Sequence, residues 1–179
     1  MITSYHPDLT HEDLNRILSN RGETLAELSA SAPVLMVFLR HLGCTFCRET
    51  LADLQRVRSD LESQGVIIAL VHMSSDLAAR TMFARYGLED VPRFADRHRK
   101  LYRAFGLRRG TLGQIFGPVN WKRAFEAGVG SRHGVGKLQG NGFQMPGVFL
   151  IDQGTIVAGH AHLQVSDRPD YRKLIPIRA

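Results

Sequence analysis

Two cysteines occur in the 179 residues, and they stand three apart as Cys44-Thr45-Phe46-Cys47. A pair that close makes a poor staple, because it closes almost no loop; the spacing points to chemistry at sulfur. The thiolate is the nucleophile of thiol chemistry, and its population at neutral pH depends on what lowers a thiol pKa from about 8.5. Here Arg40, His41 and Arg48 surround the pair in sequence and push it down. Cys44 sits just after the turn Arg40–Gly43, at or just before the first turn of a helix, where unpaired amides and the helix dipole favour an anion. Cys47, one turn further on, shares that face and can close a disulfide on Cys44. We therefore assign Cys44 as the attacking and Cys47 as the resolving thiol. Two other readings compete: half of a zinc site, whose other half could only be the narrowly spaced His160-x-His162, and a pair of inert buried thiols packing like small hydrophobes.

The elements that must position the pair follow from periodicity. Val34 to Leu39 is a continuous apolar run after Pro33, as expected of a strand buried on both faces. Leu51, Leu54, Val57 and Leu61 repeat at helical spacing up to Gln64-Gly65, and Val66 to Val71 forms a second buried strand, so the cysteines lie at the first strand-to-helix junction of a βαβ unit. Upstream, Thr10 to Ser29 reads as a helical extension with Thr10 and Asp13 in a capping box and a break at Arg21-Gly22. Downstream, Ser74-Ser75-Asp76 caps a helix over Leu77 to Tyr86. A turn at Val91-Pro92 leads into a basic helical stretch over Ala95 to Phe105, with Leu101, Phe105 and Leu107 facing the core. Thr111 to Ala127 contains an interrupted helix, and Gly128 to Gly142 holds six glycines in fifteen residues, a loop. Val148 to Ile151 and Thr155 to Ala158, joined at Asp152-Gln153-Gly154, form an antiparallel hairpin. Asp167-Arg168-Pro169-Asp170 begins at most a short terminal helix.

Composition is that of an ordinary globular domain at 44% hydrophobic and 22% charged, and we expect a single domain over 1–179, with its core at about 31–165 and an insertion at about 107–142. No apolar run approaches the roughly 18 residues a membrane helix needs. The N-terminus lacks the basic and apolar order of a secretory signal, so the cytoplasm is the expected location and no membrane is a partner. The net charge of +6 resides largely in Arg93, Arg97, Arg99, Lys100, Arg103, Arg108, Arg109, Lys122 and Arg123. The apolar spacing among them places these cations on a solvated face, so nucleic acid is not the expected partner. Gly134-Val135-Gly136-Lys137 is no P-loop: Ser131 stands where its first glycine belongs and Leu138 follows the lysine.

The stretches Phe38 to Glu49, Tyr102 to Gly110 and Gly140 to Gly154, with their spacing, cover roughly Val34 to Ala158. In them the chain resembles the alkyl hydroperoxide reductase and thiol-specific antioxidant family, in its divergent peroxiredoxin-like branch. The resemblance implies an α/β thioredoxin-like fold: a central mixed sheet flanked by helices, with an N-terminal helical extension and an inserted helical and loop segment before the final hairpin. It implies a peroxidatic or redox cysteine at Cys44, a peroxide or disulfide substrate, no cofactor, and reduction by a small thiol or a thioredoxin-type partner; a homodimer is admitted. It also implies that Met145-Pro146, at the mouth of the hairpin, is a cis peptide facing the cysteines. The main branches place threonine or serine at the position of His41 and proline at that of Val37, so Arg40 or His41 is expected to supply the hydrogen-bond donor to the peroxide. A thiol-disulfide oxidoreductase and a non-catalytic redox sensor stay open as alternatives.

Overall fold

The structure, a computed structural model, describes residues 9–111, 113–114 and 142–175. The interrupted helix expected over Thr111–Ala127, apart from Thr111, Gly113 and Gln114, all of the glycine loop except Gly142, and the Gly134–Lys137 motif lie outside the described residues.

The chain order is α1 (His11–Asn15), α2 (Leu25–Ser31), β1 (Val34–Phe38), α3 (Thr45–Ser63), β2 (Ile67–His72), α4 (Asp76–Ala84), β3 (Arg93–Ala95), α5 (Lys100–Ala104), β4 (Gly147–Asp152) and β5 (Thr155–Ala161). A 3-10 turn over Tyr171–Leu174 follows. The five strands form one sheet in the order β3-β2-β1-β4-β5. β1 runs parallel to β2 and antiparallel to β4, so the sheet is mixed, as expected.

β1 lies at the centre and is buried on both faces, which explains its unbroken apolar sequence. Leu35 and Val37 pack with Leu51, Leu54 and Leu61 of α3 and Phe83 of α4. Val34, Met36 and Phe38 point the other way, to Leu25 and Leu28 of α2 and to Leu101, Tyr102 and Phe105. A strand with no solvated face carries no polar side chain at acceptable cost. Polarity therefore resumes only where β1 ends, at Arg40.

The N-terminal extension is split into two short helices, as the break at Arg21-Gly22 suggested. Thr10 with Asp13 and Thr24 with Glu27 each complete a capping box, and the break runs from Arg16 to Thr24 instead of sitting only at Arg21-Gly22. Within that break Asn20 lies against the edge strand β3: its amide donates to the Arg93 carbonyl at 2.9 Å and its side chain accepts from the Arg93 amide at 2.8 Å. The extension thus covers backbone groups that an edge strand would leave unpaired.

β3 itself escapes the periodicity reading, which ran the basic stretch straight into a helix. Three residues are too few to show alternation, and the strand opens on a charge. Arg93 also departs from the solvated-face expectation: it is buried and forms a two-pronged ion pair with Asp76 at 2.7 and 3.0 Å. Arg97, Arg103, Arg108 and Arg109 are exposed, as expected.

The hairpin closes through Gln153 and Gly154, both at positive φ (49° and 74°), the conformation that matches the twist of its strands. Gln153 tolerates it because its amide and side chain are held by the Ser29 and Ala30 carbonyls at the end of α2. Across the hairpin Phe149 faces Gly159, and a Cβ on Gly159 would lie 2.4 Å from the Phe149 ring. Because that ring is fully buried against Phe38 and Phe105, it has nowhere to retreat. Gly159→Ala should lower stability by about 2 kcal/mol, the usual range for overpacking, read as a drop in the urea midpoint at unchanged slope.

Candidate active site

β1 ends at Phe38, and the chain turns through Arg40, His41, Leu42 and Gly43 into α3. Cys44 occupies the N-cap of that 19-residue helix with extended backbone angles. Its amide donates to the His41 carbonyl at 3.0 Å and its carbonyl accepts from Arg48 at 3.2 Å, closing the first helical turn. Cys47 follows on the inward face. Both thiols are free and buried, and the two residues lie 3.9 Å apart.

Arg40 is the polar centre of this site. Its exposure is only 7%, yet it touches three partners. The backbone N–H donates to Cys47 Sγ at 3.2 Å, Nη1 lies 3.6 Å from Cys44 Sγ, and Nη2 donates to the Gly142 carbonyl. These contacts divide the two sulfurs electrostatically. The Cys44 thiol is pushed down to about 6, first by the hydrogen bond that the Cys47 thiol donates and then by the Arg40 guanidinium, against the opposing effect of burial. Cys47 moves the other way, well above the usual thiol range, because it donates to Cys44, is fully enclosed and faces a neighbouring thiolate. The amides of Arg40 and His41 partly offset that rise.

The other residues singled out in the sequence fall into place unevenly. His41 is not the positive charge expected there: burial, then the adjacent Arg40 charge, pull its imidazole down to about 4, so it is neutral at pH 7. Its Nδ1 is buried without a hydrogen-bond partner among the described residues. Arg48 lies half-buried on α3, where its charge acts on Tyr86; Arg40 is the guanidinium at the Cys44 sulfur. Met145 is buried against Phe46, Phe143 and Val165. Pro146 does line the cavity that holds Cys44 and Cys47. The peptide before it is trans, however, for no cis bond occurs among the described residues. Gln144 bridges Arg109, the Met145 amide donates to the Arg108 carbonyl, and the Pro146 carbonyl accepts from His162. The chain is thus already extended as it enters β4, where a trans proline fits and its missing N–H costs nothing.

Two residues that line the cavity carry no role in the sequence, Tyr171 and, as anything but a zinc candidate, His162; the same holds for Tyr102, whose hydroxyl reaches the Leu39 carbonyl behind the cavity wall. The rings of His160 and His162 meet at a tilt with centroids 5.3 Å apart, and His162 lines the thiol cavity, pulled down to about 4 by burial and then by His160. No three His, Cys, Asp or Glu side chains among the described residues gather as a metal site. Only Tyr102 carried a signal, as a large aromatic flanking the Leu101 and Phe105 core positions.

Comparison with known proteins follows the same lines. The family profile described as AhpC/TSA antioxidant enzyme matches residues 53–163, a stretch that starts beyond both cysteines. Prostamide/prostaglandin F synthase of Salmo salar is 26% identical over 144 residues, covering 79% of this chain and 71% of that one. Peroxiredoxin-like 2A of Homo sapiens is 28% identical over 146 residues, covering 79% and 61%. Among solved structures, peroxiredoxin Q of Xanthomonas campestris superposes with a TM-score of 0.64 at 16% identity, over 89% of this chain and 87% of that one. A peroxiredoxin-like protein from Aquifex aeolicus gives 0.55 at 13%, over 96% and 82%. At such identities the superpositions speak for the shared thioredoxin-like fold.

The charge division has a direct readout. Alkylation of Cys44 by iodoacetamide, followed by mass spectrometry across pH, should rise to a plateau with a midpoint near 6. Below that midpoint the sulfur is protonated and reactivity falls. Arg40→Ala removes a cation and should raise the midpoint by about one unit, and Cys47→Ala, which removes the donor, should raise it as well. An unshifted value near 8.5 in the native protein would remove the argument for activation.

Proposed function

The chain belongs to the AhpC/TSA antioxidant enzyme family, a family of thiol oxidoreductases, and from that premise we propose that it is a thiol peroxidase in which Cys44 attacks the peroxide and Cys47 resolves the product. The observation that carries this reading is the Cys44 sulfur held as a thiolate beside the buried Arg40 guanidinium, 3.6 Å away.

The chemistry follows from that arrangement. The Cys44 thiolate attacks one peroxide oxygen, the O–O bond breaks, and the departing oxygen leaves as an alcohol or water once it takes a proton. Cys44 is then a sulfenic acid. Arg40, which lines the cavity beside Cys44, stabilises the negative charge that develops on the leaving oxygen, in the role that the resemblance left to Arg40 or His41. Neutral His41 offers no charge for it. In the second step the Cys47 thiol gives up its proton, its sulfur bonds to Cys44, and the S–O bond breaks with loss of water. A small thiol or a thioredoxin-type partner then reduces the disulfide.

Burial favours a peroxide over a protein disulfide as the first oxidant. Cys44 is only 6% exposed and Cys47 5%, within a cavity walled by Phe46, Pro146, Val148 and Val165. A hydroperoxide group fits such an opening more readily than a disulfide borne on a protein surface. No helix among the described residues is long and apolar enough to cross a membrane. We place the protein in the cytoplasm, where a thiol pair is kept reduced between turnovers.

Hydrogen peroxide or tert-butyl hydroperoxide should oxidise the reduced protein at one equivalent per thiol pair, and Cys44→Ser should abolish this. Cys47→Ser should leave the first oxidation within about two-fold and stop at a sulfenic acid that dimedone traps. Arg40→Ala should slow that oxidation by about 10²-fold, the range for loss of a preorganised donor, whereas His41→Ala should change it little. Turnover of a disulfide substrate by a protein inert to both peroxides would overturn the reading.

A further inference from the structure

Tyr102 has no role in the reaction as written, yet its hydroxyl is one of the most deeply placed polar groups in the molecule. It is fully buried on α5. From there the phenol O–H donates to the Leu39 carbonyl, and it also lies 3.2 Å from the Val71 carbonyl. The helix that carries it is itself pinned, for the buried Asp96 carboxylate accepts from the Lys100 and Tyr102 amides at 2.8 and 3.2 Å. The ring is wedged edge-on against Phe38, centroids 5.2 Å apart.

What the hydroxyl holds is a single rigid unit. The Leu39 carbonyl and the Arg40 N–H belong to the same planar peptide, so fixing one end fixes the direction of the other. That N–H donates to Cys47 Sγ at 3.2 Å. Hydrogen bonding at the carbonyl end also polarises the amide and strengthens what its N–H donates. We propose that Tyr102 is a positioning residue for the resolving thiol: through the Leu39–Arg40 peptide it aims an amide at the Cys47 sulfur and stabilises the thiolate that must form there. This rests on the reading that Cys47 resolves Cys44.

The inference assigns the hydroxyl to one step only. Cys44 draws its activation from the Cys47 thiol and the Arg40 side chain, neither of which hydrogen-bonds to the phenol, so the first attack does not need it. The second attack does, because Cys47 sits well above the usual thiol range and backbone amides are what pull it down. Burial keeps the phenol protonated, hence a donor, throughout.

Tyr102→Phe keeps the ring and deletes the hydroxyl. Reduced protein is treated with 5,5′-dithiobis(2-nitrobenzoate): Cys44 forms a mixed disulfide and releases one thionitrobenzoate, and Cys47 then attacks the Cys44 sulfur and releases the second. Trapped sulfenic acid after hydrogen peroxide gives the same two steps with the natural class of oxidant. In Tyr102→Phe the first step should stay within two-fold and the second should slow about ten-fold, the effect of weakening one hydrogen bond to a developing charge. Phe105→Leu, which loosens the same aromatic cluster without touching the hydroxyl, should lower Tm and leave the ratio of the two steps unchanged. An unchanged second step in Tyr102→Phe overturns the proposal. So does an equal slowing of both steps, or a Phe105→Leu protein that shows the same selective loss. A native protein that releases only one thionitrobenzoate counts against Cys47 as the resolving thiol; two releases in the native protein with an unchanged second step in Tyr102→Phe count against Tyr102; and a Cys44 inert to peroxide counts against the peroxidase reading.

Discussion

The Arg40 amide donates to the Cys47 sulfur at 3.2 Å, and that bond exists because of where β1 stops. The Leu39 amide still pairs with Val71 of β2, so the sheet extends its ladder to the last apolar residue. The next amide has no strand to pair with. An unpaired buried N–H is costly, and the sulfur one turn into α3 takes it. The centre of a sheet buried on both faces thus hands its first unclaimed donor to a thiol. Arg40, Cys44 and Cys47 are ordered around that handover.

Once the pair is held there, the two sulfurs cannot share one environment. Two adjacent buried thiolates would repel strongly, so one proton stays, and the contacts decide where. Unit charges about 4 Å apart interact by about 4 kcal/mol at an effective dielectric of 20, against about 0.3–1 kcal/mol for a helix terminus. The N-cap position of Cys44 therefore helps, but the Cys47 thiol and the Arg40 guanidinium dominate. Cys47 is held by backbone amides, and it keeps the proton. The electrostatic asymmetry between the two thiols turns on which sulfur the guanidinium reaches.

Elements far from the cysteines in sequence serve that arrangement. The N-terminal extension sets β3 through Asn20. Asp96, just past β3, anchors α5, and α5 delivers Tyr102 to the Leu39 carbonyl across the layer that holds Phe38 and Phe105. On the other side β4 carries Pro146 to the cavity, and Gly147 and Gly159 leave room for Leu107 and Phe149 behind it. The same packing that stabilises the sheet fixes the walls of the thiol site.

By itself the sequence determined the thiol pair and its place at a strand-to-helix junction, the doubly buried β1, the length of α3, the first capping box at Thr10 and Asp13, and the hairpin. Each of these depends on residues two to four apart, so it is written in local periodicity. Tertiary structure decided the rest. His41 looked like a cation beside Cys44, but burial leaves it neutral. Arg93 looked like one more solvated arginine, but it lies inside with Asp76 as its partner. Met145-Pro146 looked cis by resemblance, and the extended approach of residues 144–146 makes it trans. Tyr102 stands 63 residues from the carbonyl it holds, and nothing near it in sequence announces a polar role. Charge state and hydrogen-bond direction depend on what lies within a few ångströms in space, and only the folded chain sets those distances.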